Sequence, residues 1–255
     1  MQIVEILMAA FSLALGMVLA SFLNVCIYRI PKGKPVAAGR SVCPKCGHEI
    51  RAWDNIPIVS YFLLKRKCRD CGATISVRYP VVEAIGGVCF LLTWLRFGMA
   101  WETPVIWTFA CVLILIAFID LDTQEIPDRF HLIILGLGIA SFFLTDGPGI
   151  WQRLIGAAVI SVPLLVISLA TGGFGMGDVK LMAVSGFLLG WQATLFAGFA
   201  GCVLAAVVAG VLIAQKKKTR KDKIAFGPYL AIALFAAALY AQPIIGAYLS
   251  LFHIY

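Results

Sequence analysis

The sequence predicts an all-α polytopic membrane protein, with about eight transmembrane helices and a cytoplasmic zinc-ribbon-like loop after the first. Three observations carry that expectation. The 255-residue chain is 61% hydrophobic, with a mean hydropathy of +0.94. Only 13% of its residues are charged, about half the ~25% usual in soluble domains, which excludes a disordered chain and argues against a water-soluble globule. The one long hydrophilic insert carries two C-x-x-C pairs.

The elements follow in order. Residues 6–28 hold no charge and form the first span, since a bilayer core about 30 Å thick takes roughly 20 apolar residues in a helix. A cleaved signal peptide has its positive charge in front. Here Glu5 precedes the run and Arg29, Lys32 and Lys34 follow it, so the helix is read as retained, with its N-terminus outside. Further spans are expected at about 81–97, 104–120, 130–144, 150–170, 179–191, 193–214 and 229–252, several of them short. The domain reading is a first transmembrane helix over 1–28, a cytoplasmic loop over 29–80 and a transmembrane core over 81–255.

Eight spans place segments 29–80, 121–129, 171–180 and 215–228 on one side. That side then holds 19 of the 21 basic residues, all but Arg96 and Arg153. An asymmetry of this size marks the cytoplasmic face. The net charge of +8 is thus explained by topology and contact with the lipid bilayer, and no nucleic-acid partner is expected. The basic run at 216–223 belongs to the same account.

In the loop, Cys43-Pro-Lys-Cys46-Gly and Cys68-Arg-Asp-Cys71-Gly stand 21 residues apart. Two such knuckles supply the four soft ligands of tetrahedral zinc. The neighbouring cations Lys45, Lys67 and Arg69 favour thiolates. A structural Zn(2+) on Cys43, Cys46, Cys68 and Cys71 is the reading preferred over two disulfides or a redox pair, because a cytoplasmic setting is reducing. His48 is an alternative ligand, more simply a solvated loop residue. Cys26, Cys89, Cys111 and Cys202 fall in apolar spans and read as packing residues.

The 13 acidic residues sort by position. Most fall in loops. Glu83, the cluster Asp120, Asp122, Glu125 and Asp128, and Asp178 lie in or beside spans, where a carboxylate is costly and a functional candidate by default. Asp120 ends the apolar run 112–119. Asp178 follows the glycines at 172, 173, 175 and 177. Two spans separate these acids, so both lie at cytoplasmic helix ends and can meet. Two carboxyls in one sheltered cavity share a proton, and such a pair can cut a peptide bond as an aspartic protease does. Taken singly, Asp178 is a helix cap before Val179 and Asp120 an interfacial end residue. A proton- or cation-coupled transporter with a regulatory zinc loop is the competing class, though the hydropathy shows no inverted repeat. A scaffold with a zinc-dependent docking loop is a third.

With these residues in view the chain resembles the type IV prepilin leader peptidases, membrane aspartic proteases of bacteria. The resemblance runs through Ser21-Phe-Leu-Asn-Val-Cys-Ile-Tyr-Arg-Ile-Pro31, both cysteine knuckles, Asp54-Asn-Ile-Pro-Ile-Val-Ser-Tyr61 and Ser76-Val-Arg-Tyr-Pro-Val-Val-Glu83. It continues through Ile119-Asp120, Ile126-Pro-Asp128, Gly175-Met-Gly-Asp178-Val-Lys180 and Phe226-Gly-Pro-Tyr229. Ala20 departs from the family, where many members have Gly. The resemblance implies that prepilins or pseudopilins are the substrates, cut after a Gly at the end of a short basic leader on the cytoplasmic side. It also implies that the family's two catalytic aspartates are Asp120 and Asp178, with Asp122 and Asp128 as the nearest rivals. The complete cysteine loop resembles that of bifunctional members, which implies methylation of the new N-terminus with S-adenosylmethionine as methyl donor. No G-x-G-x-x-G follows a predicted strand, so no cofactor-binding residue is named. Glu83 is a candidate for methyl transfer or substrate positioning, or else a helix-start carboxylate favoured by the helix dipole.

Overall fold

The computed structural model describes residues 2–37, 39–172, 175–217 and 224–251. Gly173 and residues 218–223 of the basic run, as well as the end of the last predicted span at 252, lie outside the described residues. The chain divides into two compact units, Met1–Met99 and Ala100–Tyr255.

In the first unit, α1 (Gln2–Arg29) leads through a 3-10 turn into the loop, which contains a short helix α2 (Val59–Leu63). The long helix α3 (Arg78–Phe97) follows. α1 and α3 pack against each other because small residues let their backbones approach. A Cβ on Gly86 would collide with Ala20 and Gly16, and one on Gly16 would strike the Gly86 carbonyl. Asn24 adds a bond from Nδ2 to the Tyr79 carbonyl, 3.3 Å away. The outward residues of α1, among them Ile3, Val4, Ile6, Leu7 and Phe11, remain exposed, as suits a helix whose solvent is lipid.

The second unit contains α4 (Glu102–Thr123), α5 (Asp128–Leu144), α6 (Ile150–Val159), α7 (Ser161–Thr171), α8 (Met176–Leu189), α9 (Trp191–Ala214) and α10 (Gly227–Leu251). α4 is its core, with Phe109, Ile116 and Ile119 fully buried. α10 packs on α4 and α9, while α8 packs against α5, α6, α7 and α9. The predicted span at 150–170 appears as two helices broken at Ile160. Pro163 is the cause, because it lacks an N–H and its ring crowds the carbonyl four residues earlier.

Among the described residues, six stretches are long and apolar enough to cross a membrane: Ile3–Lys32, Arg78–Phe97, Glu102–Thr123, Ile150–Thr171, Trp191–Ala214 and Gly227–Ala247. The other two predicted spans are present as α5, of 17 residues, and α8, of 14. At 1.5 Å per residue these reach only about 26 and 21 Å, short of a hydrocarbon core of about 30 Å. The chain is therefore a multi-pass helical protein with six full-length candidate spans, and the expected eight is not reached on length.

Candidate active site and cysteine cluster

α4 runs on to Thr123 and ends where Gln124 adopts a left-handed conformation, its N–H bonding to the Asp120 carbonyl at 2.9 Å. Asp120 therefore sits in the last full turn, with its side chain on the buried face. Its Oδ2 accepts the backbone N–H of Gly227 at 2.9 Å. Gly227 opens α10, so the carboxylate meets the positive end of a helix dipole as well as a free amide. Gly227 admits no side chain, since a Cβ there would lie 2.8 Å from Asp120 Oδ2.

Asp178 is in the first turn of α8. That helix starts at Met176, not near Val179, so Asp178 lies within the turn, and the helix start has no side-chain cap. Burial leaves Asp178 Oδ1 without any hydrogen-bond partner. Asp120 and Asp178 both line one cavity of about 300 Å³. Its remaining wall comes from the α4–α5 connection (Gln124, Glu125, Ile126, Asp128) and the start of α8 (Gly175, Met176, Gly177, Lys180). Asp122 is exposed on α4 and is not part of that wall. Asp128 is part of it, but Lys180 Nζ holds its Oδ1 at 2.7 Å. That bond and the ammonium charge keep Asp128 below the ordinary carboxylate range.

Three contacts escaped the sequence reading. The Gly227 amide on Asp120 was signalled only by Gly-Pro at a helix start. The buried His131 reaches the Gly177 carbonyl from α5, with Nε2 at 3.1 Å. Arg153, read as an outer-side charge, is 1% exposed within the second unit. Its Nε bonds to the Pro148 carbonyl at 2.8 Å and its Nη1 to Ser141 Oγ at 2.9 Å. The carbonyls of Gly138, Phe187 and Leu188 stand 3.1–3.2 Å from the same Nη1. A guanidinium carries donors only, and here it serves the carbonyls that end α8.

In the first unit the four cysteine sulfurs of Cys43, Cys46, Cys68 and Cys71 lie within 4.8 Å of one another. Each knuckle closes on itself: Gly47 N–H bonds to the Cys43 carbonyl and Gly72 N–H to that of Cys68. Backbone amides of Cys46 and Lys45 pull the Cys43 thiol down to about 6. The Ala73 amide acts the same way on Cys71, but desolvation and the other three sulfurs push that thiol up to about 12. Four converging thiolates repel one another unless a cation lies between them, so the donor set fits a tetrahedral soft metal. The His48 side chain is exposed and outside the cluster.

Glu83 is not at a helix start. α3 begins at Arg78, and the buried Glu83 carboxylate accepts the Ile58 N–H at 2.7 Å. Ile58 has φ +61° and ψ −50°, a strained γ-turn geometry for a β-branched residue. Glu83 thus ties Ile58, within the 54–61 segment, to α3.

Residues 14–97 match the model of the bacterial peptidase A24 N-terminal domain, and residues 107–210 match that of the type IV leader peptidase family. A prepilin leader peptidase/N-methyltransferase of Stutzerimonas stutzeri is 35% identical, over 93% of this chain and 92% of its own. The protein of the same name from Pseudomonas aeruginosa is 32% identical over the same shares, and that from Neisseria gonorrhoeae 37% over 86% of each. No solved structure gives a significant match. Two family domains in tandem, an identity above 30% along nearly the whole chain, and a cavity walled by two buried aspartates agree: the chain belongs to the type IV leader peptidase family.

Proposed function

We propose that this protein is a membrane aspartic endopeptidase of the bacterial inner membrane. It removes the basic leader of type IV prepilins or pseudopilins at the cytoplasmic face and then methylates the new N-terminus. The observation that carries the reading is the shared cavity of Asp120 and Asp178. Both side chains are largely withdrawn from solvent, so the pair holds one proton between them. The ionised member takes a proton from water, while the protonated member polarises the scissile carbonyl. After the attack, that proton passes toward the leaving amine. The cavity lies at the end of α4, a helix long enough to cross a membrane, so an apolar substrate helix can stay in the bilayer while its scissile bond enters. Such a bond must unwind first, because helical peptide groups are poorly open to attack.

The names of the relatives support the second activity, methyl transfer. S-adenosylmethionine is the methyl donor these names suggest. Among the described residues only two isolated β-bridges occur and no strand, so the common strand–turn–helix nucleotide cradle is lacking. No residue of this chain is assigned to that cofactor, and no step is routed through it. Zn(2+) held by Cys43, Cys46, Cys68 and Cys71 would supply structural cross-linking of the loop and no chemistry, four thiolates leaving no open position. The charge asymmetry supports an N-terminus outside and a cytoplasmic loop. The family description and the relatives' names give the transporter reading no support.

The test is cleavage of a purified prepilin in detergent by the wild type, Asp120→Asn and Asp178→Asn. Each substitution should lower the rate by about a thousandfold or more, since one member of an acid–base pair acting alone loses the general-catalytic step. Full cleavage by either folded variant rejects the assignment.

A further inference from the structure

The start of α8 is weakly specified by its own sequence. Gly172, Gly175 and Gly177 precede Asp178, and the helix start has no side-chain cap. Asp178 itself has one buried carboxyl oxygen with no partner. Its other oxygen interacts with the Gly175 amide of the same turn, so the position of the carboxyl is set through the backbone of the turn that carries it. Two ties reach this turn from α5. On one side of Asp178, His131 grips the Gly177 carbonyl through Nε2 at 3.1 Å. On the other, the Lys180 ammonium bonds to Asp128 Oδ1 at 2.7 Å. A carbonyl only accepts, so Nε2 carries the hydrogen. The ring is buried, and its Nδ1 stands 3.4 Å from the same Asp128 oxygen without completing a hydrogen bond. Ring, carboxylate and ammonium thus form one bracket around the residue between Gly177 and Val179.

We propose that His131 and the Lys180–Asp128 pair are positioning groups for peptide-bond cleavage: the His131 Nε2–H fixes the Gly177 carbonyl, the ion pair fixes the turn on its other side, and both are needed to hold the Asp178 carboxyl in the cavity it shares with Asp120. This rests on the reading of Asp178 as a catalytic acid. His131 is not among the residues that line the cavity. It acts on the turnover step, because a displacement of about 1 Å at a reacting group can cost on the order of a hundredfold in rate.

The test is steady-state cleavage of a prepilin by the full-length protein carrying His131→Leu, His131→Gln or Lys180→Met. Leucine fills the space without a donor. Glutamine carries an amide N–H that can take the place of Nε2. His131→Leu should lose about ten- to a hundredfold in kcat with KM within about threefold, and His131→Gln should return to within about threefold of the wild type. A wild-type kcat in His131→Leu overturns the proposal, as does a His131→Gln protein as impaired as His131→Leu. If His131→Leu does not accumulate as folded protein, Lys180→Met decides. It removes the half-exposed tie, and should lower kcat by about threefold or more at unchanged KM; an unchanged kcat overturns the proposal. Asp178→Asn, run beside them, separates the two readings. An active Asp178→Asn rejects the peptidase assignment, whereas an inactive one beside a fully active His131→Leu rejects only the bracket.

Discussion

At Gly227 a backbone amide and a carboxylate occupy space that one methyl group would fill. The amide is 107 residues from Asp120 in sequence and 2.9 Å from its Oδ2. Gly227→Ala would push a carbon to 2.8 Å from that oxygen and force the helix start or the carboxyl to move. The expected result is a fall of about tenfold or more in prepilin cleavage with helical circular dichroism unchanged. Wild-type activity in Gly227→Ala would mean that the amide does not set the acid. Arg153 is the second residue whose role is decided by burial. Its guanidinium is shielded from solvent and reaches carbonyls on α5, in the loop before α6 and near the end of α8. Arg153→Met keeps much of the length but leaves those acceptors without their charged donor. The loss should be about 2–4 kcal/mol, read as a lower thermal midpoint in detergent. A midpoint equal to the wild type would show that the carbonyls find other donors.

Among the helices, what the sequence revealed depended on how local the cause was. Spans rich in uninterrupted apolar residues, such as α4 and α9, were legible because length and hydropathy define them. The break at Ile160 follows from Pro163, three residues on, but a hydropathy average runs straight across it. α5 and α8 were legible as apolar runs, although neither reaches the length of a full span. The crossing of α6 and α8 was hidden, because it depends on Gly156 and Gly186 facing each other, and a Cβ on either would strike the other's backbone. Gly156→Leu should therefore separate α6 from α8 and prevent folding of the second unit. The measurement is monodisperse yield in detergent against Gly136→Leu, a control glycine with open space around its Cβ. Equal yields would show that the crossing adapts.

At the level of the molecule the two chemistries fall in different parts of the chain. The cysteine knuckles were readable because each is a local turn with its ligands three residues apart, and the structure brings all four sulfurs together within the first unit. The aspartate pair was readable only from parity and family resemblance. The cavity that joins the two acids is built by long-range contacts, with every lining residue in the second unit. This division leads to an expected outcome for metal removal. Outside the knuckles, which the two isolated bridges close, the described residues between α1 and α3 are held by α2, two short 3-10 turns and a few side-chain bonds such as those of Glu83 to Ile58 and Arg69 to Asp54. Its metal-free thiols would repel one another once ionised. Stripping the metal with a chelator, or replacing Cys43 by Ser, should open the loop to trypsin at Lys45, Arg51, Lys65, Arg66, Lys67 and Arg69. The helices of the second unit contain no ligand and should keep their circular dichroism and thermal midpoint. Metal analysis, trypsin mapping and dichroism on the same sample check this. An unchanged trypsin map after complete metal loss would show that the loop folds without it. A collapse of helical signal in step with metal loss would show that the cysteine cluster stabilises the whole protein, beyond its own unit.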